Sequence, residues 1–113
     1  MDNYYNIGVV YYGEKKYDDA KAQFNKAIEI YPDFAEAYYS LGVVHNSETN
    51  YDKAAEAFSK AIQIDPRNYE AIYQLGVVYN IKKDKAQALA QVDKLKALSR
   101  NELARKLEGL IKK

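Results

Sequence analysis

The sequence predicts an all-α protein, a helical-repeat solenoid of seven helices, and three observations carry that prediction. First, residue classes recur every 34 positions: Tyr38, Leu41, Gly42, His45, Ala54, Phe58, Ala61 and Pro66 map back onto Tyr4, Ile7, Gly8, Tyr11, Ala20, Phe24, Ala27 and Pro32. Forward, they map onto Ile72, Leu75, Gly76, Tyr79 and Ala88, after which Val92, Leu95 and Arg100 replace Phe, Ala and Pro. Second, apolar residues inside each copy step by three and four, the spacing of one face of a helix. Third, each of the first two copies is interrupted once in its middle and once at its end, which makes it a pair of helices.

The first helix is expected over Asp2 to Tyr12, with Tyr4, Ile7, Gly8 and Tyr11 on one stripe. Gly13 and the polar run Glu14, Lys15, Lys16 are expected to break it. Asp18 and Asp19 then place acid in the first turn of the second helix, where the free amides and the helix dipole favour it. That helix carries Ala20, Phe24, Ala27 and Ile28 inward and stops before Pro32, which lacks the amide hydrogen a helix needs.

The second copy repeats the plan, with helices around Glu36 to Asn46 and Asp52 to Ile64, separated by a break at Ser47 to Asn50 and ended by Asp65 and Pro66. The third begins near Tyr69, and its second helix is expected over Lys85 to Leu98. Ser99, Arg100, Asn101 and Glu102 have the spacing of a capping box. Leu103, Leu107, Leu110 and Ile111 follow as an apolar stripe opposite Glu102, Arg105, Lys106 and Lys112. This is the expected capping helix, because the last repeat of a solenoid would otherwise leave its stacking face in water. No equivalent exists at the N-terminus. Gly8, Gly42 and Gly76 each cost a helix about 1 kcal/mol against alanine. Their return at every period predicts close helix contacts there, with Ala20, Ala54 and Ala88 suited to the facing surface.

The period of 34 and the order of its residues resemble the tetratricopeptide repeat family over residues 1 to 98. The resemblance implies a right-handed superhelix in one domain, with repeats at 1–34, 35–68 and 69–98 and a capping helix at 99–113. It also implies a concave wall made by the first helix of each repeat.

At 113 residues the chain has room for one domain, whose repeats must stack to bury a core. It has no cysteine, which removes disulfides and thiolate chemistry and fits a reducing compartment. No apolar run approaches the ~20 residues of a membrane span, and the N-terminus lacks the order of a signal peptide, so a soluble, cytoplasmic protein is expected without membrane insertion. The net charge of +1 hides an asymmetry. Residues 1–81 carry seven Lys and Arg against twelve Asp and Glu, a net of −5, whereas residues 82–113 carry ten against four, a net of +6.

Each first helix has a second stripe at helical spacing: Asp2, Tyr5, Val9, Tyr12; then Glu36, Tyr39, Val43, Asn46; then Glu70, Tyr73, Val77, Asn80. The resemblance places these twelve positions on a peptide-binding groove, with an acidic edge, a tyrosine ladder, a valine floor and two asparagines able to bond a peptide backbone. Tyrosine at the ladder positions serves equally as packing between neighbouring helices. Relatives that bind acidic heat-shock chaperone tails use a carboxylate clamp of Lys, Asn and Arg. Here the matching positions are Tyr5, Val9, Ser40, Glu70 and Gln74, with no cation among them, so a neutral, apolar or basic peptide is the expected ligand.

Catalysis finds no support in the residue pattern. His45, the only histidine, stands where the other copies have Tyr11 and Tyr79 and is expected to replace a core aromatic. Cofactor and metal sites are therefore not expected, and nucleic acid is not an expected partner of an acidic groove. The expected function is that of a non-enzymatic protein-interaction scaffold. The alternatives are a structural protein that self-assembles through its acidic and basic ends, and an excerpt or engineered array without an evolved ligand.

Overall fold

A computed structural model of the protein describes residues 4–113. Its elements are α1 (Tyr4–Gly13), α2 (Tyr17–Ile30), α3 (Ala35–Ser47), α4 (Tyr51–Ile64), α5 (Tyr69–Ile81), α6 (Lys85–Ala97) and α7 (Asn101–Ile111), with no strand among the described residues. Helices consecutive in sequence pack as antiparallel neighbours, and α5 also packs on α7. The result is a helical-repeat solenoid 40 Å in its longest dimension.

The turns inside the hairpins show the period in the backbone itself. Gly13 remains helical, and the break falls two residues later, at Lys15, which takes a left-handed φ of 62°. Thr49 (59°) and Lys83 (65°) do the same one and two periods on. In each case the amide of the next residue reaches back five positions, Lys16 to the Tyr11 carbonyl, Asn50 to His45 and Asp84 to Tyr79, at 2.8–2.9 Å. This closure satisfies carbonyls that a helix C-terminus leaves free. Ser99 (60°) with Arg100 bonded to the Leu95 carbonyl makes a fourth such turn, between α6 and α7. Ser99 is thus committed to closing α6 and does not head a capping box; Arg100 precedes α7 without a side-chain capping bond. Side chains cap elsewhere, where Asn50, Asn68 and Asp84 accept from the amides of Lys53, Ala71 and Gln87.

The connections between hairpins are also repeated. Pro32 and Pro66 sit second in four-residue turns closed by Phe34 N–H to the Tyr31 carbonyl (3.1 Å) and Asn68 N–H to the Asp65 carbonyl (3.0 Å). Proline suits that position because its φ is already the one required.

Three core clusters follow one another along the stack. Ala20, Phe24, Leu41, Val44 and Ala57 join the first two hairpins, and Ala54, Phe58, Ala61, Ala71, Leu75 and Val78 join the second to the third. Ile72, Val92, Leu95, Ala104 and Leu107 join the third to α7. Burial of each Phe, Leu or Ile contributes about 1.5–3 kcal/mol, so the joints between repeats hold the solenoid together.

Gly8 and Gly42 lie at the contacts inside the first two hairpins, where a ring of the second helix, and not the alanine expected, is the nearest neighbour. A Cβ on Gly8 would stand 2.7 Å from the Phe24 ring, and one on Gly42 would stand 2.6 Å from the Phe58 ring. At Gly76 the contact is with Leu107 of α7, at 2.3 Å. Val92 occupies the phenylalanine position of the third copy and is too short to cover its glycine, so α7 supplies the missing side chain. The capping helix therefore completes the third hairpin as well as ending the stack.

The opposite end is open. Ile7 and Val10 are 40% and 59% exposed, whereas the residues one period on, Leu41 and Val44, are 7% and 0% exposed. Leu75 and Val78, two periods on, are likewise buried.

Candidate functional site

The inner stripe of the first helices faces one wall, and the structure divides it into two unlike halves. Between α1 and α3, Tyr5, Val9, Tyr12, Tyr39 and Val43 surround a hollow of about 290 Å³ together with Phe24 and Ser40. Val9 is 45% exposed and Val43 half-buried, so the floor of this half is apolar and open.

The tyrosines are held from behind and tied at their tips. Tyr5 leans on Phe24 with ring centroids 5.7 Å apart, and Tyr39 leans on Phe58 at 5.6 Å, so the ladder rings also pack between helices. The Ser40 hydroxyl donates to Tyr5 Oη at 3.5 Å, and the Tyr12 and Ser47 hydroxyls share a bond of 3.1 Å. Burial is the main cause that pushes the Tyr39 phenol above its ordinary pKa; the Glu70 carboxylate adds to this and a hydrogen bond with Gln74 opposes it. Ser40 and Phe24 belong to the hollow but not to the sequence stripe. Ser40 lies one residue past a ladder tyrosine, and Phe24 comes from the second helix of its hairpin.

The other half is partly covered by α7, with Tyr73, Val77 and Asn80 half-buried. Tyr73 and Val77 pack into the cluster that includes Leu103, Leu107 and Ile111 of α7. The Lys106 ammonium lies 5.5 Å above the Tyr73 ring, and Asn80 Nδ2 donates to the Leu110 carbonyl at 3.3 Å. The stripe on α7 that caps the stack thus also occupies the inner wall of α5. Asn46 has a buried carboxamide oxygen without a hydrogen-bond partner. Glu36 and Glu70 are exposed and do not line the hollow, and Asp2 lies outside the described residues. Of the twelve stripe positions, the hollow thus gathers five.

His45 sits on the other side of α3, among Lys21, Glu48, Lys53 and Glu56. Burial, reinforced by the Lys21 charge, holds its imidazole below the ordinary histidine pKa. Its Nδ1 is buried without a hydrogen bond, 4.0 Å from Glu48 Oε1. Lys21 instead bonds Glu48 at 2.8 Å and joins α2 to the end of α3. Among the described residues no three His, Cys, Asp or Glu side chains gather as a metal site would require, and no helix is long and apolar enough to cross a membrane.

Two family models, both described as tetratricopeptide repeat, match residues 5–69 and 46–111. No curated protein matches the chain. Among solved structures, MamA is 29% identical with a TM-score of 0.83 over 88% of this chain, which spans only 58% of the MamA chain. The Arabidopsis OM64 TPR domain is 20% identical with a TM-score of 0.86, covering 96% of this chain and 91% of its own. The Yersinia enterocolitica type III secretion chaperone SycD, in complex with a peptide of the translocator YopD, is 18% identical with a TM-score of 0.87, covering 97% and 88%.

Proposed function

Since this chain belongs to the tetratricopeptide repeat family, we propose that it is a non-enzymatic protein-interaction module that holds a neutral, apolar or basic peptide against the α1–α3 half of its concave wall. The observation that carries this reading is the open hollow floored by Val9 and Val43 and edged by tyrosine hydroxyls, with no cation in its lining. Apolar floor and polar edge are the usual composition of a recognition site. A carboxylate-rich ligand would find no cation in the lining of this hollow, while the exposed Glu36 and Glu70 belong to the same row of helices. A peptide-bound chaperone of the same fold supports the mode of use. In this reading the protein works in the cytoplasm, which its lack of cysteine fits.

Selection of peptides from a random displayed library tests the proposal. Binders should be depleted in Asp and Glu, and Val9→Lys with Val43→Lys should weaken them at least tenfold while the helical circular-dichroism signal persists. Peptides bound equally by that variant would place the site elsewhere.

A second reading, self-association, is favoured by the open face at Ile7 and Val10. The exposed face of α7, which carries Glu102, Arg105, Lys106 and Lys112, offers charge and not apolar surface to it. Light scattering after size exclusion separates the possibilities. Association through the charged ends weakens with salt, and association through the apolar face does not. A mass that stays monomeric at every protein concentration would remove this second reading.

A further inference from the structure

A second hollow adjoins the groove at its N-terminal rim. It measures about 660 Å³ and is lined chiefly by Tyr5, Ile30, Tyr31, Pro32, Asp33 and Phe34. Tyr5 lines both this hollow and the one between α1 and α3. We propose that it is the seat of one basic side chain, an arginine of the peptide carried in the groove; this rests on the groove reading for the source of the arginine.

The rings are not required by the turn that presents them. One period on, the same proline turn is built with Asp65 and Asn68, and there both side chains serve the backbone: Asp65 accepts from the Arg67 amide and Asn68 caps α5. The first connection gives up these bonds. Tyr31 and Phe34 stand in their place, Phe34 precedes α3 without a capping bond, and Tyr31 remains 52% exposed. The exchange trades backbone bonds for ring contacts of Phe34 with Tyr5 and Tyr31, and it leaves aromatic surface facing solvent where a ligand can use it.

The arrangement suits a guanidinium. Phe34 lies 5.0 Å from the Tyr5 ring and 6.2 Å from Tyr31, which meets it nearly edge-on, so ring surfaces converge on one place. Aromatic faces are electronegative and attract a flat cation laid upon them. Asp33 projects from the same turn, and no Lys or Arg pairs with it among the described residues. An anion would be repelled there, and an apolar side chain would strip water from Asp33 without giving it a partner. Arginine supplies a stacking plane and a forked donor together. At the third connection the chain already makes such a pair within itself, with the Arg100 guanidinium 4.0 Å from the Tyr69 ring centroid.

The test is a two-dimensional NMR titration of the protein with N-acetyl-arginine methylamide and with its neutral isostere N-acetyl-citrulline methylamide, each to 100 mM. The arginine derivative should shift Tyr31, Asp33 and Phe34, with the citrulline derivative at least tenfold weaker. Asp33→Asn and, separately, Tyr31→Ala should each weaken binding at least fivefold, with unchanged helical content. Equal shifts from both probes, no shift, or shifts confined to Glu36 and Glu70 would overturn the proposal. The peptide library reads the groove independently. Binders without an enriched arginine, together with a silent titration, would sink the pocket and leave the groove standing. A positive titration with no library binders would do the reverse.

Discussion

The Ser40 hydroxyl meets the Tyr5 hydroxyl at 3.5 Å across the joint between α1 and α3, and the Tyr12 and Ser47 hydroxyls share a bond of 3.1 Å across the same joint. Tyr5 and Tyr12 therefore tie the first repeat to the second at their tips, while the Tyr5 and Tyr39 rings brace against Phe24 and Phe58. The valines beside them make no such tie, and in the proposed reading they meet the ligand. For that reason Val9 and Val43, and not the tyrosines, are the substitutions that test binding without disturbing the fold.

Adding one methyl group should act oppositely at two glycines. Gly42→Ala drives a Cβ to 2.6 Å from the buried Phe58 ring and should destabilise by about 1–3 kcal/mol despite the better helix propensity of alanine. Gly109→Ala meets nothing within 4 Å and should stabilise by about 1 kcal/mol. Urea unfolding of the two variants measures both signs.

Leu107→Ala should cost about 2–5 kcal/mol, because Leu107 is fully buried and covers Gly76. If α7 stands in for a missing ring, adding Val92→Phe to that variant should recover part of the loss. Equal stability of the single and double variants would show that the two side chains do not share one space.

The two ends of the period should respond differently to one substitution. Val44→Asp buries a carboxylate in the joint between the first two hairpins and should abolish cooperative thermal unfolding. Val10→Asp places the same group on a 59% exposed position and should move the midpoint little in a monomer. A large loss at Val10 would mean that its face is covered in solution.

The pH dependence of stability should carry a contribution from His45. Its folded pKa is depressed by burial and by Lys21, so the unfolded chain binds the proton more readily. Stability from this group is therefore complete above the unfolded value of about 6.5 and is lost as pH falls below it toward the folded pKa. His45→Tyr, which installs the residue of the other two copies, should flatten the decline in melting temperature between pH 7.5 and pH 5, as read by circular dichroism.

The sequence by itself determined the helices, their pairing and their stacking order. A period of 34 makes each copy present the same positions, so Leu41 and Leu75 fall on the packed stripe from spacing alone. It also marked the valine stripe, because residues three and four apart share a helix face whatever lies beyond it. What lies beyond was decided only in three dimensions. That Leu107 fills the place of a phenylalanine, and that α7 partly covers Tyr73, Val77 and Asn80, depends on where a helix outside the period comes to rest. The hollow at Tyr31 and Phe34 is likewise a product of α1 meeting a turn more than 20 residues away. Local spacing records which face a side chain is on, and packing between distant segments decides what that face meets.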